Sequence, residues 1–99
     1  MASYRLTKKA VEDLAGIWNY TVDTWSENQA DQYFQMLLDS CQDIATGRVL
    51  GKHYDGILKS LQGKNAGKHI IFYRKVNSDV VEIVRIWHEQ MDLKNRIRE

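Results

Sequence analysis

The chain has 99 residues, 43% of them hydrophobic and 27% charged. That balance excludes a disordered chain, which is poorer in apolar groups and further from neutrality, and the length fits one domain over residues 1–99. Fourteen Lys and Arg against thirteen Asp and Glu give a formal charge of +1, which as a total gives no reason to expect nucleic acid, membrane or an acidic partner.

Ser3 to Leu6 reads as a short strand, and Thr7 stands as N-cap before a helix to about Thr24. Val11, Leu14, Trp18, Thr21, Val22 and Trp25 recur at steps of three and four with Ala10 and Ile17 beside them, the stripe of an amphipathic helix. Gly16 is out of place mid-helix, where it costs about 1 kcal/mol against Ala; either another backbone approaches it, or it is exposed and tolerated. Ser26 with Gln29 makes a capping-box pattern that opens a second helix to about Ala45. Its stripe is Ala30, Tyr33, Phe34, Leu37, Leu38, Cys41, Ile44 and Ala45, and Gly47 ends it. The short link at Trp25-Ser26 folds the helices into a hairpin.

Beyond a loop from Arg48 to Gly56 the period changes to two. Ile57 to Gly63, His69 to Lys75 and Val80 to Trp87 are expected as strands of an antiparallel meander, with turns at Lys64-Asn65-Ala66-Gly67 and Asn77-Ser78-Asp79. Strict alternation in the last strand puts Val81, Ile83, Arg85 and Trp87 on one face and Val80, Glu82, Val84, Ile86 and His88 on the other. The order is β-α-α-β-β-β, an α+β fold in which a helical hairpin packs on a small, mainly antiparallel sheet.

Charge is unevenly distributed along this order. Residues 27 to 46 carry Glu27, Asp31, Asp39 and Asp43 with no Lys or Arg, whereas residues 47 to 99 carry eleven basic residues against six acidic. The basic excess therefore belongs to the sheet and tail. It reads either as an ordinary solvated surface or as a working one facing RNA or an acidic protein.

No motif dictates a reaction. Gly47-Arg48-Val49-Leu50-Gly51-Lys52-His53 is one residue short of a phosphate-loop spacing, has His53 where a Ser or Thr is needed, and follows a helix. His53, His69 and His88 stand at no metal-ligand spacing, so no metal and no cofactor is expected. The single Cys41 excludes an internal disulfide, and on the apolar stripe it reads as a small core residue. Asn19-Tyr20-Thr21 is a formal glycosylation sequon inside a predicted helix and is discounted. The start has no apolar run of signal-peptide length, and no later stretch approaches the ~20 apolar residues of a membrane span, so a cytoplasmic protein without membrane contact is expected.

Gly67-Lys68-His69-Ile70-Ile71-Phe72-Tyr73-Arg74, a turn, and Val81-Glu82-Ile83-Val84-Arg85-Ile86-Trp87-His88-Glu89-Gln90-Met91-Asp92 resemble the C-terminal half of ParE toxins, of the RelE/ParE toxin superfamily. Tyr4-Arg5-Leu6-Thr7, Glu12-Asp13-Leu14 with Ile17-Trp18-Tyr20, and Trp25 with Gln29-Ala30-Tyr33 are similar to the helical hairpin of that family, so the resemblance spans nearly the whole chain. Trp87 stands where Leu is more usual, and Thr46-Gly47-Arg48 replaces a common Asn-Pro. The resemblance implies a RelE/ParE-like fold and a non-enzymatic growth-inhibiting toxin that poisons DNA gyrase. It also implies a ParD-type antitoxin as partner, and no direct nucleic-acid binding is expected of the toxin alone. On that reading Trp25, Lys59, Arg74 and Arg85 are the expected antitoxin contacts, and Trp87, His88, Met91, Lys94, Arg96 and Ile97 the expected target contacts. The alternative within the superfamily is a RelE-type ribosome-dependent mRNA endonuclease, for which Lys59, Tyr73, Arg74, Arg85 and His88 are the available parts. Tyr73 and Arg74 point to opposite faces of one strand, which counts against it.

Overall fold

In the computed structural model, which describes residues 2–56 and 58–90, strand β1 (Ser3–Leu6) runs through Thr7 into helix α1 (Lys8–Thr24). Thr7 is the N-cap: its Oγ1 accepts from the Ala10 N–H at 3.0 Å, and its hydroxyl donates to the Val84 carbonyl at 2.8 Å. Helix α2 (Glu27–Thr46) begins at Ser26, whose Oγ accepts from the Gln29 N–H at 3.0 Å, and ends at Gly47 in the left-handed region. Strands β2 (Lys52–His53), β3 (Gln62–Ala66), β4 (His69–Lys75) and β5 (Val80–His88) complete a five-stranded sheet in the order β1-β5-β4-β3-β2. Among the described residues only the β1–β5 pair is parallel.

The helical hairpin covers one face of this sheet. Ala10, Leu14, Leu37, Cys41 and Ile44 meet Ile71, Tyr73, Val81, Ile83 and Ile86 in the main core. The opposite face holds a second cluster, Leu61, Ile70, Phe72 and Trp87, with Tyr54 packed edge-on to Phe72 at 5.2 Å. The loop from Tyr54 to Leu61 supplies both Tyr54 and Leu61, and it is closed by the Tyr54 N–H donating to the Leu61 carbonyl at 2.8 Å.

Three sequence expectations are corrected. The strand expected over Ile57 to Gly63 starts later: Ile57 lies outside the described residues, Leu58 and Lys59 are exposed, and Ser60 has a φ of 63°. Gln62–Ala66 is the strand, although its residues are poor strand formers, because β4 supplies a continuous pairing edge on one side. Gly63 suits the position because a Cβ there would lie 2.7 Å from the Tyr54 ring. The turn consequently shortens to Gly67-Lys68, with Gly67 at φ 59°, the glycine-first arrangement favoured in two-residue hairpins. The expected loop from Arg48 to Gly56 contains the edge strand β2.

The alternation expected in β5 also breaks. Phe72 pairs with Arg85 but Tyr73 pairs with Ile83, so Val84 is an extra residue in a β-bulge. Val81 and Ile83 face the helices, and beyond the bulge Ile86 does so, while Trp87 joins the second cluster on the far face. The α1 stripe is rotated relative to expectation: Ala10, Leu14 and Thr21 are buried, whereas Val11 is 50% and Trp25 68% exposed. Gly16 is exposed, and a Cβ there would meet nothing within 4 Å, so within the chain it is the tolerated glycine of the two readings. Cys41 is in the core, where burial pushes its thiol pKa up to about 12. Among the described residues no helix is long and apolar enough to cross a membrane.

Candidate partner-binding groove

Where β1 stops pairing with β5 after Leu6, the edge of β5 would be bare from Val84 onward. Helix α1 fills that gap. The Thr7 hydroxyl donates to the Val84 carbonyl, and Asp13, one turn into the helix, accepts from the Ile86 N–H at 3.0 Å. The same Asp13 carboxylate holds Arg85 in a two-pronged pair, Nε to Oδ2 at 2.8 Å and Nη2 to Oδ1 at 2.9 Å. The side chains are only 21% and 13% exposed. The bulge at Val84 puts Arg85 in register with Phe72, and the guanidinium lies 4.4 Å from the Trp87 ring centroid. Arg85 is thus shaped by three neighbours before any partner arrives.

Beside this pair runs a groove of about 770 Å³. Its α1 wall is made by Glu12, Gly16, Tyr20 and Thr24, which recur every fourth residue and so form one ridge, with Ile17 and Thr21 on the next. Trp25, Gln29 and Tyr33 come from the hairpin link and α2, and Lys68, His69, Trp87 and His88 from the end of the sheet. Tyr20 and Trp25 are each 68% exposed, so two large aromatic side chains stand over an apolar floor with little protein around them. Amphipathic aromatics at the edge of a concave surface are the groups that protein interfaces favour.

At the sheet end of the groove, Tyr33 is the organising residue. Its hydroxyl oxygen accepts from the Lys68 N–H at 3.0 Å and meets His69 Nδ1 at 2.6 Å. The Lys68 N–H and His69 Nδ1 thus converge on one tyrosine oxygen. The His69 pKa lies below its ordinary value, first because of burial and then because of His88, whose ring stands edge-on at 5.5 Å, with Glu89 and Asp13 opposing the shift. Tyr33 titrates above its usual range, chiefly through burial. His88 Nδ1 accepts from the Gln90 N–H at 3.2 Å. Among the described residues no group of three or more His, Cys, Asp or Glu is placed to hold a metal.

The expected site residues divide among three places. Trp25, Arg85, Trp87 and His88 all line the groove, although Trp87 is 4% exposed and Arg85 is engaged by Asp13. Arg74 lies on the far side of the sheet beside Glu82, and Lys59 is exposed on the loop that covers that side. Met91, Lys94, Arg96 and Ile97 lie outside the described residues. Tyr73 faces the helices, where its hydroxyl accepts from the Gly51 N–H at 2.9 Å and donates to Gln62 Oε1 at 3.0 Å. The parts of a nuclease centre are therefore split: Tyr73 faces the helices, Arg74 and Lys59 lie on the far side, and Arg85, which shares the groove with His88, is ion-paired to Asp13. Asp13, Tyr33 and His69 were missed by sequence reasoning as site residues. For Asp13 the available signal was an acid next to Leu14 on the buried side of α1.

Residues 4–93 match the family model described as the ParE toxin of type II toxin-antitoxin system, parDE. Over 94 residues the chain is 31% identical to Toxin ParE1 of Mycobacterium tuberculosis and equally to Toxin ParE1 of Caulobacter vibrioides, covering 95% of this chain and 96% of each relative. Toxin ParE of Escherichia coli is 30% identical over 97 residues, covering 98% and 94% respectively. The fold matches a chain of the structure titled as the chromosomal ParDE TA system from P. aeruginosa with a TM-score of 0.74, at 18% identity, over 89% of this chain and 96% of that one.

Proposed function

The chain belongs to the ParE toxin family of type II toxin–antitoxin systems, and on that premise we propose that it arrests growth by binding and poisoning DNA gyrase until a ParD-type antitoxin neutralises it. The observation that carries the non-enzymatic half of this reading is that the candidate catalytic parts are split between two faces, and that Arg85, the cation sharing the groove with His88, is already paired to Asp13. General acid–base cleavage of RNA needs a proton-transfer group and a phosphate-stabilising cation within reach of one scissile bond. Tyr73 is occupied by Gly51 and Gln62, Arg74 projects from the opposite face, and Arg85 is paired to Asp13. What the surface offers instead is an aromatic-rimmed groove suited to a protein segment.

Trp25 and His88 at that groove are the proposed antitoxin and target contacts respectively. Met91, Lys94, Arg96 and Ile97, which lie outside the described residues, are the other proposed target contacts. Two partners drawing on one end of the fold compete, which is how a bound antitoxin would silence a toxin without altering its fold.

The test is a gyrase supercoiling and cleavage assay with the purified folded chain, with and without the product of the adjacent reading frame. Supercoiling blocked by the chain and restored by that product is the expected result. Unaffected gyrase at large excess of toxin, together with mRNA 5′ ends that reveal A-site cleavage on induction, would replace this reading with the ribonuclease one.

A further inference from the structure

On the sheet face turned away from the helices, Arg5 of β1, Glu82 of β5 and Arg74 of β4 form a single row across three strands, each in direct register with the next. Arg5 Nε lies 3.2 Å from Glu82 Oε2; Arg74 Nε and Nη2 lie 2.9 and 2.8 Å from Oε1 of the same carboxylate. The carboxylate is 14% exposed, but the two arginine side chains are 58% and 52% exposed. One acid therefore fixes two guanidinium forks, and most of their N–H donors still face water. A guanidinium carries five donors in a rigid plane, so one bond to Glu82 from Arg5 and two from Arg74 leave both able to grip a further carboxylate. The row contributes little to holding the fold, since exposed ion pairs stabilise weakly. Its neighbours on this face are also cationic: Lys52 by its register with Gly63, and Lys59 on the covering loop. Asp55 on that loop is turned to the Ser60 N–H at 3.0 Å.

We propose that Arg5 and Arg74, positioned by Glu82, form a carboxylate clamp that receives an acidic segment of the neutralising protein partner. This rests on the reading of the chain as the toxin of a toxin–antitoxin pair, and it names the chemistry of one contact. Adjacent strands lie about 4.8 Å apart, so the two arginine backbones stand roughly 10 Å apart with Glu82 midway. Two side-chain carboxylates about that far apart straddle Glu82, as acids two turns apart on a helix do at roughly 10.5 Å. A nucleic-acid strand fits less well, because its unbroken line of phosphates would cross the Glu82 carboxylate. The forks are held before the partner arrives, which reduces the side-chain ordering that binding requires.

The experiment is an NMR titration of the full ¹⁵N-labelled chain at low salt with a synthetic helical peptide bearing glutamates seven residues apart, and separately with a 12-nucleotide single-stranded RNA. The Arg5 and Arg74 Nε–H resonances are expected to move together with the peptide. Affinity is expected to fall about tenfold in the double variant R5K/R74K, which keeps both charges but loses both forks. E82Q is the decisive variant: it raises the net positive charge, yet loss of positioning is expected to weaken peptide binding about threefold. Tighter binding by E82Q would overturn the clamp. So would full affinity in R5K/R74K, shifts spread over Lys52 and Lys59 without the arginines, or a preference for the RNA at the same arginines. Gyrase left untouched while the peptide binds as expected removes the proposed target and leaves the clamp; a poisoned gyrase with no peptide binding removes the clamp alone.

Discussion

Asp13 and Glu82 are both carboxylates that bind arginine on the last strand's borders, yet one closes the structure and the other opens it. Asp13 takes Arg85 with both oxygens and the Ile86 N–H besides, and both side chains are mostly shielded from water. Glu82 divides its oxygens between Arg5 and Arg74, which remain more than half exposed. The charges are of the same kind in both; what differs is how much of each guanidinium water reaches. A guanidinium paired in a shielded place organises its own chain, and one held by its edge in water is available to others.

The sharpest way to break this contrast is to remove Asp13. In D13A the Arg85 guanidinium loses its counter-charge in a shielded site and the Ile86 N–H loses its acceptor, and a loss of about 3 kcal/mol is expected. Urea unfolding read by circular dichroism checks this, and a loss below about 1 kcal/mol would mean that the pair is no more structural than a surface one. D13N, which can still accept from Ile86, is expected to fall between D13A and the unaltered chain.

The contrast was only half legible beforehand. Helices and their caps were readable because Thr7, Ser26 and Gly47 act within a few residues of themselves, and β4 and β5 because β-branched and aromatic residues crowd there. The bulge at Val84 has no periodic signature, since one added residue changes the facing of everything after it while leaving composition untouched. That single residue is why strict alternation groups Arg85 and Trp87 with Val81 and Ile83 and the structure does not. Gln62–Ala66 was hidden because its strand state comes from pairing to β4, and the Asp13–Arg85 contact because its members are 72 positions apart. Trp25 and His88, expected as antitoxin and target contacts, both line the groove, whereas the Tyr33–His69 contact needed the hairpin turn to be placed at Gly67-Lys68.

A pH series sharpens the comparison from the closed side, because His69 sits near Asp13 and owes its lowered pKa mainly to burial. Its folded pKa is below the ordinary histidine value of 6.5, so between the two values the unfolded chain binds the extra proton and the folded one does not. Its contribution is complete above the unfolded value and declines as pH falls toward the folded one. Stability is therefore expected to drop from pH 7 to pH 5, and H69Q is expected to flatten that part of the profile. Protonation also alters the 2.6 Å contact between His69 Nδ1 and the Tyr33 hydroxyl, so in the same window the Tyr33 ring resonances should move with the His69 ones. A stability profile identical in H69Q would assign the acid sensitivity elsewhere.

The smallest expected effect is the most telling about the open side. In a double-mutant cycle on Arg74 and Glu82, with R74Q, E82Q and the pair, each single change is expected to cost less than about 1 kcal/mol and the coupling to be near 0.5 kcal/mol. The reason is that water substitutes for Glu82 around the half-exposed Arg74 guanidinium, while Glu82, itself 14% exposed, keeps Arg5 as a partner when Arg74 is changed. The same cycle repeated in 0.5 M salt should lose most of its coupling, as exposed pairs do when the screening length shrinks to a few ångströms. The corresponding cycle on Asp13 and Arg85 should retain most of its coupling in that salt, since the screening ions cannot enter between a shielded carboxylate and its fork. If both cycles responded alike, exposure would not be what separates a carboxylate that holds the fold from one that holds its arginines ready.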